Sequence, residues 1–238
     1  MSRAAGAGAA PRAAMAAGGA ATFALVVLLG LATPVPAEDG VSYFWMAQQF
    51  AAGAFAEALA MVFPPGWPLL LAPIVALGVS PEAAALLLSA LTLALAAGPL
   101  VALAHELDPR AAWPAALLWA SSPLLLRVAA EGYSEPPFVL LVAVGTWFGR
   151  RERFVAAGVC AGLAFWVRPE GLVLAASFVF VAPRAAWRAL LPAGLCVLAL
   201  ATLRAALGLG SELLPLLTFH EQRDDLPGRG RVLANVLE

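Results

Sequence analysis

Two adjacent carboxylates, Glu38 and Asp39, follow closely on the first long apolar stretch of the chain. An acid pair at the end of such a stretch can supply a general base or ligands for a divalent metal ion. The alternative is a pair of loop acids that water solvates. No cysteine and histidine spacing in the chain matches a metal signature, so no cofactor is certain and a divalent cation is left open.

Two arginines occupy positions at which a positive charge is unusual. Arg168 lies between two apolar segments, and Arg204 lies a little more than one turn inside the end of the last one. A guanidinium can bind a phosphate through two parallel hydrogen bonds, and an ionisable residue inside a membrane is a candidate for function. The alternative is that both arginines extend to the interface or pair with Glu131 or Glu170.

Glu135 opens an apolar segment within the sequence Ser134-Glu135-Pro136. It lies four residues after Glu131, but Gly132 and Pro136 argue against one continuous helical face for the two acids. Glu135 can cap the helix that begins at Pro136 or contact a substrate, and the sequence leaves both roles open.

The composition indicates that these residues belong to a membrane protein. The 238 residues are 62% hydrophobic and 12% charged, with a mean hydropathy of +0.87. A soluble domain has roughly 25% charged residues, so this chain must use lipid as its solvent. The formal net charge of -1 gives no basic surface for nucleic acid. We predict a multi-pass membrane protein with membrane lipids, and no nucleic acid, among its partners.

The apolar segments predict an all-α, polytopic transmembrane bundle with about seven crossings. Between the first two crossings, residues 41–50 have the pattern of an interfacial amphipathic helix, and the prolines of Phe63–Pro68 should break any helix. Residues 69–78 are apolar but short, which favours a re-entrant or interfacial segment. The predicted crossings are residues 13–32, 80–103, 111–130, 136–148, 154–167, 171–182 and 189–209.

The first crossing has a second interpretation. Residues 33–37 resemble a signal-peptidase site, but the uncharged run before them is about 20 residues long, enough to span a bilayer. We therefore expect this segment to stay in the mature protein as the first helix.

The arginines predict the orientation of the bundle. We predict a cytoplasmic N-terminus at 1–12, a membrane core at 13–210 with a first external loop at 35–66, and an external tail at 211–238. With this orientation, most arginines lie on the cytoplasmic side. Three near the membrane fall at the external face: Arg127, Arg168 and Arg204. Eight fall inside: Arg3, Arg12, Arg110, Arg150, Arg151, Arg153, Arg184 and Arg188. We predict a cell-membrane protein whose active face is non-cytoplasmic.

Several short motifs lie in one order and on one predicted side of the membrane. They are Glu38-Asp39-Gly-Val-Ser-Tyr43, Pro64-Pro65-Gly-Trp67-Pro68, Ser134-Glu135-Pro136 and Arg168-Pro169-Glu170-Gly171. This set resembles the GT-C superfamily of glycosyltransferases, and within it the branch related to dolichyl-phosphate-mannose protein mannosyltransferases. The resemblance covers about residues 13–182, whereas many relatives have further helices.

The resemblance implies an enzyme that moves a hexose, such as mannose, from a polyprenyl-phosphate donor to a hydroxyl of a glycan, lipid or protein acceptor. It implies Asp39 as the general base, with Glu38 the less favoured member of the pair, and an inverting displacement. Arg168 and Arg204 would bind the donor phosphate. The same motifs supply Tyr43, Trp67, Glu135 and Glu170 as further substrate-binding candidates.

Two other classes of protein remain open from the sequence. A small-solute transporter would favour two related halves with broken helices that meet at mid-membrane, and the sequence has no internal repeat. A non-catalytic partner subunit would pack against a full enzyme and would not transfer sugar alone. Dependence of activity on a sugar lipid separates the glycosyltransferase from both.

Overall fold

In a computed structural model of the chain, the structure describes residues 9–32 and 38–209, and every regular element in these ranges is an α-helix. The predicted all-α fold is therefore confirmed. The helices are α1 (Ala9–Ala32), α2 (Glu38–Ala51), α3 (Phe55–Leu59), α4 (Gly66–Ala76), α5 (Pro81–Leu107), α6 (Ala112–Ala120), α7 (Pro123–Ala130), α8 (Glu135–Arg150), α9 (Phe154–Val167), α10 (Gly171–Val181) and α11 (Trp187–Ala206).

Within the described residues, seven stretches of helix run from one end of the bundle to the other. They are α1, α5, α6 with α7, and each of α8 to α11. At one end, Arg151 donates a 2.9 Å hydrogen bond to Glu106 and so joins the end of α8 to the end of α5. We call this the Arg151 end. The opposite end, where α8 begins and α9 ends at Arg168, is called the Arg168 end. The predicted number of about seven crossings agrees with this topology.

The seven stretches differ in length. Among the described helices, α1 from Ala10, α5 and α11 are long and apolar enough to cross a membrane alone. By contrast, α9 has 14 residues and α10 has 11. At 1.5 Å per residue, a 14-residue helix spans roughly 21 Å, less than the hydrocarbon core of about 30 Å. The ends of these short helices must therefore be covered by protein or by a locally thinner bilayer.

Helices α2, α3 and α4 cover the short helices at the Arg168 end. A Cβ atom on Gly66 would lie 2.6 Å from the backbone of Trp166, so α4 begins directly against the end of α9. Only residues 77–80 separate α4 from α5, which also begins at this end. Helix α4 therefore does not cross the bundle, in agreement with the prediction of a re-entrant or interfacial segment.

The largest cluster of buried apolar side chains holds this cover in place. Helix α2 contributes Tyr43, Phe44, Ala47 and Phe50, whose spacing gives a buried face to the predicted amphipathic helix. The largest side chains of the cluster that are almost wholly buried are Met46 of α2 and, from other helices, Leu59, Trp67, Leu71, Phe165 and Leu200. Burial of this face makes α2 part of the protein core as well as a surface element.

Several predicted boundaries are wrong for identifiable reasons. The 111–130 crossing is two helices, because Pro123 has no amide hydrogen to continue α6. Helix α4 begins at Gly66 and includes Pro68, since the amides of a first turn need no partner inside the helix. Helix α1 begins at Ala9, and residues 38–51 of the predicted external loop form α2. The tail at 211–238 lies outside the described residues.

Glycines on α9 allow close packing against α11. A Cβ atom on Gly158 would lie 2.1 Å from the carbonyl oxygen of Ala189, and one on Gly162 would lie 2.5 Å from the Cβ of Cys196. In membranes, where lipid is as apolar as the side chains, such close backbone contact is a main source of helix association. Pro192 also lies in this contact, 2.6 Å from the same Gly158 position.

We therefore expect Gly158→Ala to destabilise the bundle, because the added methyl group must separate α9 from α11 at a cost of about 1–3 kcal/mol. The matched control is Gly194→Ala on α11, where a Cβ atom meets nothing within 4 Å. The measurement is the temperature at which half of the purified protein stays monodisperse. Equal temperatures for the two variants would contradict close packing at Gly158.

Candidate active site

A tight turn at residues 131–134 forms the base of the candidate site. Gly132 has a φ of +81°, which an L side chain rarely adopts, and a Cβ atom there would lie 2.7 Å from the ring of Phe44. The indole nitrogen of Trp67 donates a 3.1 Å hydrogen bond to the carbonyl oxygen of Gly132. The buried faces of α2 and α4 therefore fix this turn before α8 begins.

Arg168 forms ion pairs that connect the 131–134 turn and the start of α8 to the connection between α9 and α10. Its guanidinium donates a 2.6 Å hydrogen bond to Glu135 and a 3.0 Å hydrogen bond to Glu170. Burial lowers the pKa of Arg168, but the hydrogen bond to Glu170 and the charges of Glu135 and Glu170 outweigh it, so the pKa is raised. Arg168 is therefore a permanent cation whose side chain is still 20% exposed.

Tyr43 connects α2 to the same group. Its hydroxyl donates a 3.3 Å hydrogen bond to Ser134, and its ring packs edge-on against Phe63 with 5.3 Å between centroids. Burial raises the pKa of Tyr43 far above its usual range, with a smaller opposing contribution from the hydrogen bond to Ser134 and from the charge of Arg168. Tyr43 therefore stays neutral and acts as a fixed hydrogen-bond donor.

Asp39 lies in the first turn of α2, next to the more exposed Glu38. Its negative charge contributes to raising the pKa of both Tyr43 and Tyr133, after the larger contribution of burial. The carboxylate of Asp39 therefore lies near both tyrosine hydroxyls. Helix α2 directs its positive end toward this region, which favours the negative charges of the pair.

One carboxylate oxygen at this site lacks a hydrogen-bond partner among the described residues. Glu135 uses Oε1 to accept from Arg168, whereas its Oε2 is buried and has no hydrogen-bond partner among the described residues. A buried polar atom without a partner is costly, and sites that bind ligands are where such atoms occur. In the described part of the chain, no three acidic, histidine or cysteine side chains are arranged to hold a metal ion.

The structure brings together most of the residues that the sequence nominates. Five of them meet around the 131–134 turn: Asp39, Tyr43, Glu135, Arg168 and Glu170. Glu38 is their neighbour on α2. Trp67 is fully buried, so in this structure it supports Gly132 from below and has no open surface for a substrate. The catalytic and binding roles of the converging residues stay predictions.

Arg204 contacts a different part of the bundle, the end of α3. It is 8% exposed, and its guanidinium donates a hydrogen bond to the carbonyl oxygen of Leu59 at the end of α3. Its Nε atom has no hydrogen-bond partner in the described part of the chain. In this structure the side chain holds the segment that carries Phe63, and the contact of Arg204 with a donor phosphate stays a prediction.

Sequence reasoning missed Tyr133 as a site residue and did not assign a role to Ser134. Tyr133 lies near Asp39, and Ser134 is buried and accepts from Tyr43. A signal was available, because the chain has two tyrosines and both lie at this turn or against it. A polar aromatic residue beside a carboxylate in an apolar chain is an informative position.

The family model of Glycosyltransferase family 87 matches residues 61–218, more than half of the chain. The matched range includes Glu135, Arg168 and Glu170 and begins after Asp39 and Tyr43. No curated protein and no solved structure matches the chain.

We expect Arg204→Met to destabilise the protein without weakening its use of a sugar donor. Methionine keeps most of the apolar stem but leaves the buried carbonyl of Leu59 without its donor, a loss of about 1–3 kcal/mol. Arg204→Lys should recover part of the loss. The measurements are heat tolerance of the purified protein and the KM for the donor.

The control is Arg127→Met, which removes an exposed arginine at the same end of the bundle. It should leave heat tolerance nearly unchanged, because exposed ion pairs contribute little. Normal heat tolerance of Arg204→Met together with a raised donor KM would identify Arg204 as a substrate-binding residue instead.

Proposed function

The chain belongs to glycosyltransferase family 87, a GT-C-like family of membrane glycosyltransferases, and on that premise we propose that it transfers a hexose from a polyprenyl-phosphate donor to an acceptor hydroxyl at the Arg168 end. Family membership makes the chain a membrane glycosyltransferase with a sugar donor and an acceptor. The proposal further includes a lipid-phosphate carrier, a mannose-like sugar and a relationship to the protein mannosyltransferase branch.

Asp39 acts as the general base in this reaction. The acceptor hydroxyl attacks the anomeric carbon of the donor sugar while its proton passes to the carboxylate of Asp39. The bond between the anomeric carbon and the phosphate oxygen breaks, and polyprenyl phosphate leaves with the electron pair. A single in-line displacement inverts the anomeric carbon and forms no covalent enzyme intermediate.

Arg168 stabilises the negative charge that grows on the leaving phosphate. Glu170 is the more exposed of its two carboxylate partners, with 46% of its side chain accessible against 30% for Glu135. A phosphate can therefore replace Glu170, which water then solvates, while the shorter contact to Glu135 holds the guanidinium in position. The buried Oε2 of Glu135 is suited to accept a hydrogen bond from a hydroxyl of the donor sugar.

A single observation carries the proposal. The negative charge of Asp39 and the positive charge of Arg168 both act on the hydroxyl of Tyr43, although the two residues come from opposite parts of the chain. A base for the acceptor and a cation for the leaving group therefore both act on one fixed hydrogen-bond donor. A displacement of this kind needs both charges close to the reacting sugar, because a proton is taken from the acceptor while negative charge grows on the phosphate.

The side of the membrane is also proposed. The order of the helices supports placing at the Arg151 end the described arginines that the sequence predicts to be inside. Arg127, Arg168 and Arg204 are at the Arg168 end. By the excess of positive charge on cytoplasmic loops, the Arg151 end is cytoplasmic and the Arg168 end is not. The cell membrane is the proposed location.

We expect Asp39→Asn to express, fold and bind donor, yet to transfer sugar about 10²–10⁴-fold more slowly, because a general base contributes that factor. In barrier terms this is roughly 3–5 kcal/mol. The assay is sugar transfer from a polyprenyl-phosphate hexose in membranes at matched protein level.

Glu38→Gln is the matched control, since it removes the neighbouring acid from the same helical turn and should have a much smaller effect. Asp39→Asn with most of the wild-type rate, together with loss of activity in Glu38→Gln, would show that the wrong acid is assigned as the base. Wild-type protein that transfers sugar only when a second protein is added would favour the partner-subunit interpretation.

A further inference from the structure

A half-open cleft of about 250 Å³ lies beside the candidate active site. Its walls come from the end of α1, the start of α5, the end of α7 and Phe44 of α2. Tyr43 hydrogen-bonds Ser134 at the active site, and the next residue, Phe44, lines the cleft. The cleft and the Arg168 group therefore lie against two adjacent faces of α2.

The cleft has a different charge character from the Arg168 group. Glu82, Glu131 and Ser80 are its polar side chains, and none of its lining residues in the described part of the chain is cationic. The carboxylate of Glu82 repels a phosphate, and both carboxylates can accept hydrogen bonds from hydroxyl groups. Glu131 also accepts a 2.6 Å hydrogen bond from Arg127, which leaves capacity on its carboxylate for a further donor.

The apolar part of the lining adds a second preference. Leu31, Leu86 and Phe44 line the cleft beside the two acids. A sugar ring has hydroxyl groups on its edge and C–H groups on its faces, so it can use both kinds of wall at once. The matching ligand is a neutral sugar attached to an apolar aglycone, and an anionic group is disfavoured.

The cleft adjoins the 131–134 turn of the candidate active site. Gly132 forms part of its wall, and the next residue, Tyr133, lies near the carboxylate of Asp39. The charges of Asp39 and Arg168 both act on the hydroxyl of Tyr43, whose neighbour in the chain, Phe44, lines the cleft. A hydroxyl presented from the cleft and a donor held at Arg168 would therefore approach each other at Asp39.

We infer that this cleft binds the acceptor of the reaction, and that the acceptor presents a neutral sugar. The inference rests on the proposed function and adds the chemical class of the second substrate. The acceptor sugar lies between Phe44 and Leu86 with its hydroxyls toward Glu82 and Glu131, and one hydroxyl reaches Asp39. The negative charge of Glu82 disfavours the donor phosphate on this side.

The test uses the full chain in lipid nanodiscs with a polyprenyl-phosphate hexose as donor and n-octyl glucoside or n-octyl mannoside as acceptor probes. Ala83→Phe places a ring in the cleft from an exposed position on α5. It should raise the KM for the octyl glycoside about tenfold or more, since the cleft loses volume that the sugar needs. Glu82→Gln should raise the same KM about threefold to tenfold by weakening a charge-assisted hydrogen bond.

The slow hydrolysis of the donor without acceptor reports on the donor site separately. Its rate and the donor KM should match wild type in both variants. Ala205→Phe, the same substitution at an exposed alanine near the outer end of α11, is the matched control and should leave every value unchanged.

An unchanged glycoside KM in Ala83→Phe contradicts this inference, as does a raised donor KM in its place. Wild-type protein that hydrolyses the donor but transfers nothing to either octyl glycoside also contradicts it and leaves the proposed function standing. Wild-type protein that does not hydrolyse the donor contradicts the proposed function itself, and the inference fails with it.

Discussion

The ion pairs of Arg168 with Glu135 and Glu170 join the start of α8 to the connection between α9 and α10. Loss of one member would leave a partly buried charge without its partner, which is costly in surroundings of low polarity. The hydrogen bond from Tyr43 to Ser134 depends on the same start of α8, because Ser134 directly precedes Glu135. The apolar cluster holds α2 in place, and the polar contact of α2 with the start of α8 therefore depends on how Arg168 is neutralised.

The short helices explain how a polar group of this kind can be close to lipid. Because α9 and α10 end before a full bilayer thickness, the α2–α4 cover lies over them within the dimensions of the membrane. A donor with a polyprenyl chain keeps its phosphate at the level of the headgroups. A site at the end of a shortened helix is therefore at a depth that the phosphate can reach without leaving the lipid. The contact of Gly66 with the end of α9 fixes this arrangement.

The sequence predicts those features that depend on local chemistry. Helix α9 begins and ends as predicted, because Arg153 and Arg168-Pro169 flank one apolar run, and Ser80 caps α5 by accepting from the amide of Ala83. Contacts between distant segments were not predictable, since they depend on the rotation of each helix. Nothing local indicates that Tyr43 hydrogen-bonds a residue 91 positions away, or that Arg204 binds a carbonyl 145 positions away. The burial of Trp67, a substrate-binding candidate from the sequence, also depends on such packing.

Binding of the donor phosphate at Arg168 is tested most directly by a structure of the wild-type protein with a non-transferable phosphonate analogue of a polyprenyl-phosphate hexose. If Arg168 binds the donor and Asp39 is the base, a phosphonate oxygen lies within hydrogen-bond distance of the Arg168 guanidinium, about 2.7–3.2 Å. Glu170 is then displaced, and the anomeric carbon faces Asp39. A phosphonate bound at the Arg151 end, or one that leaves Arg168 paired with both carboxylates, would contradict this assignment.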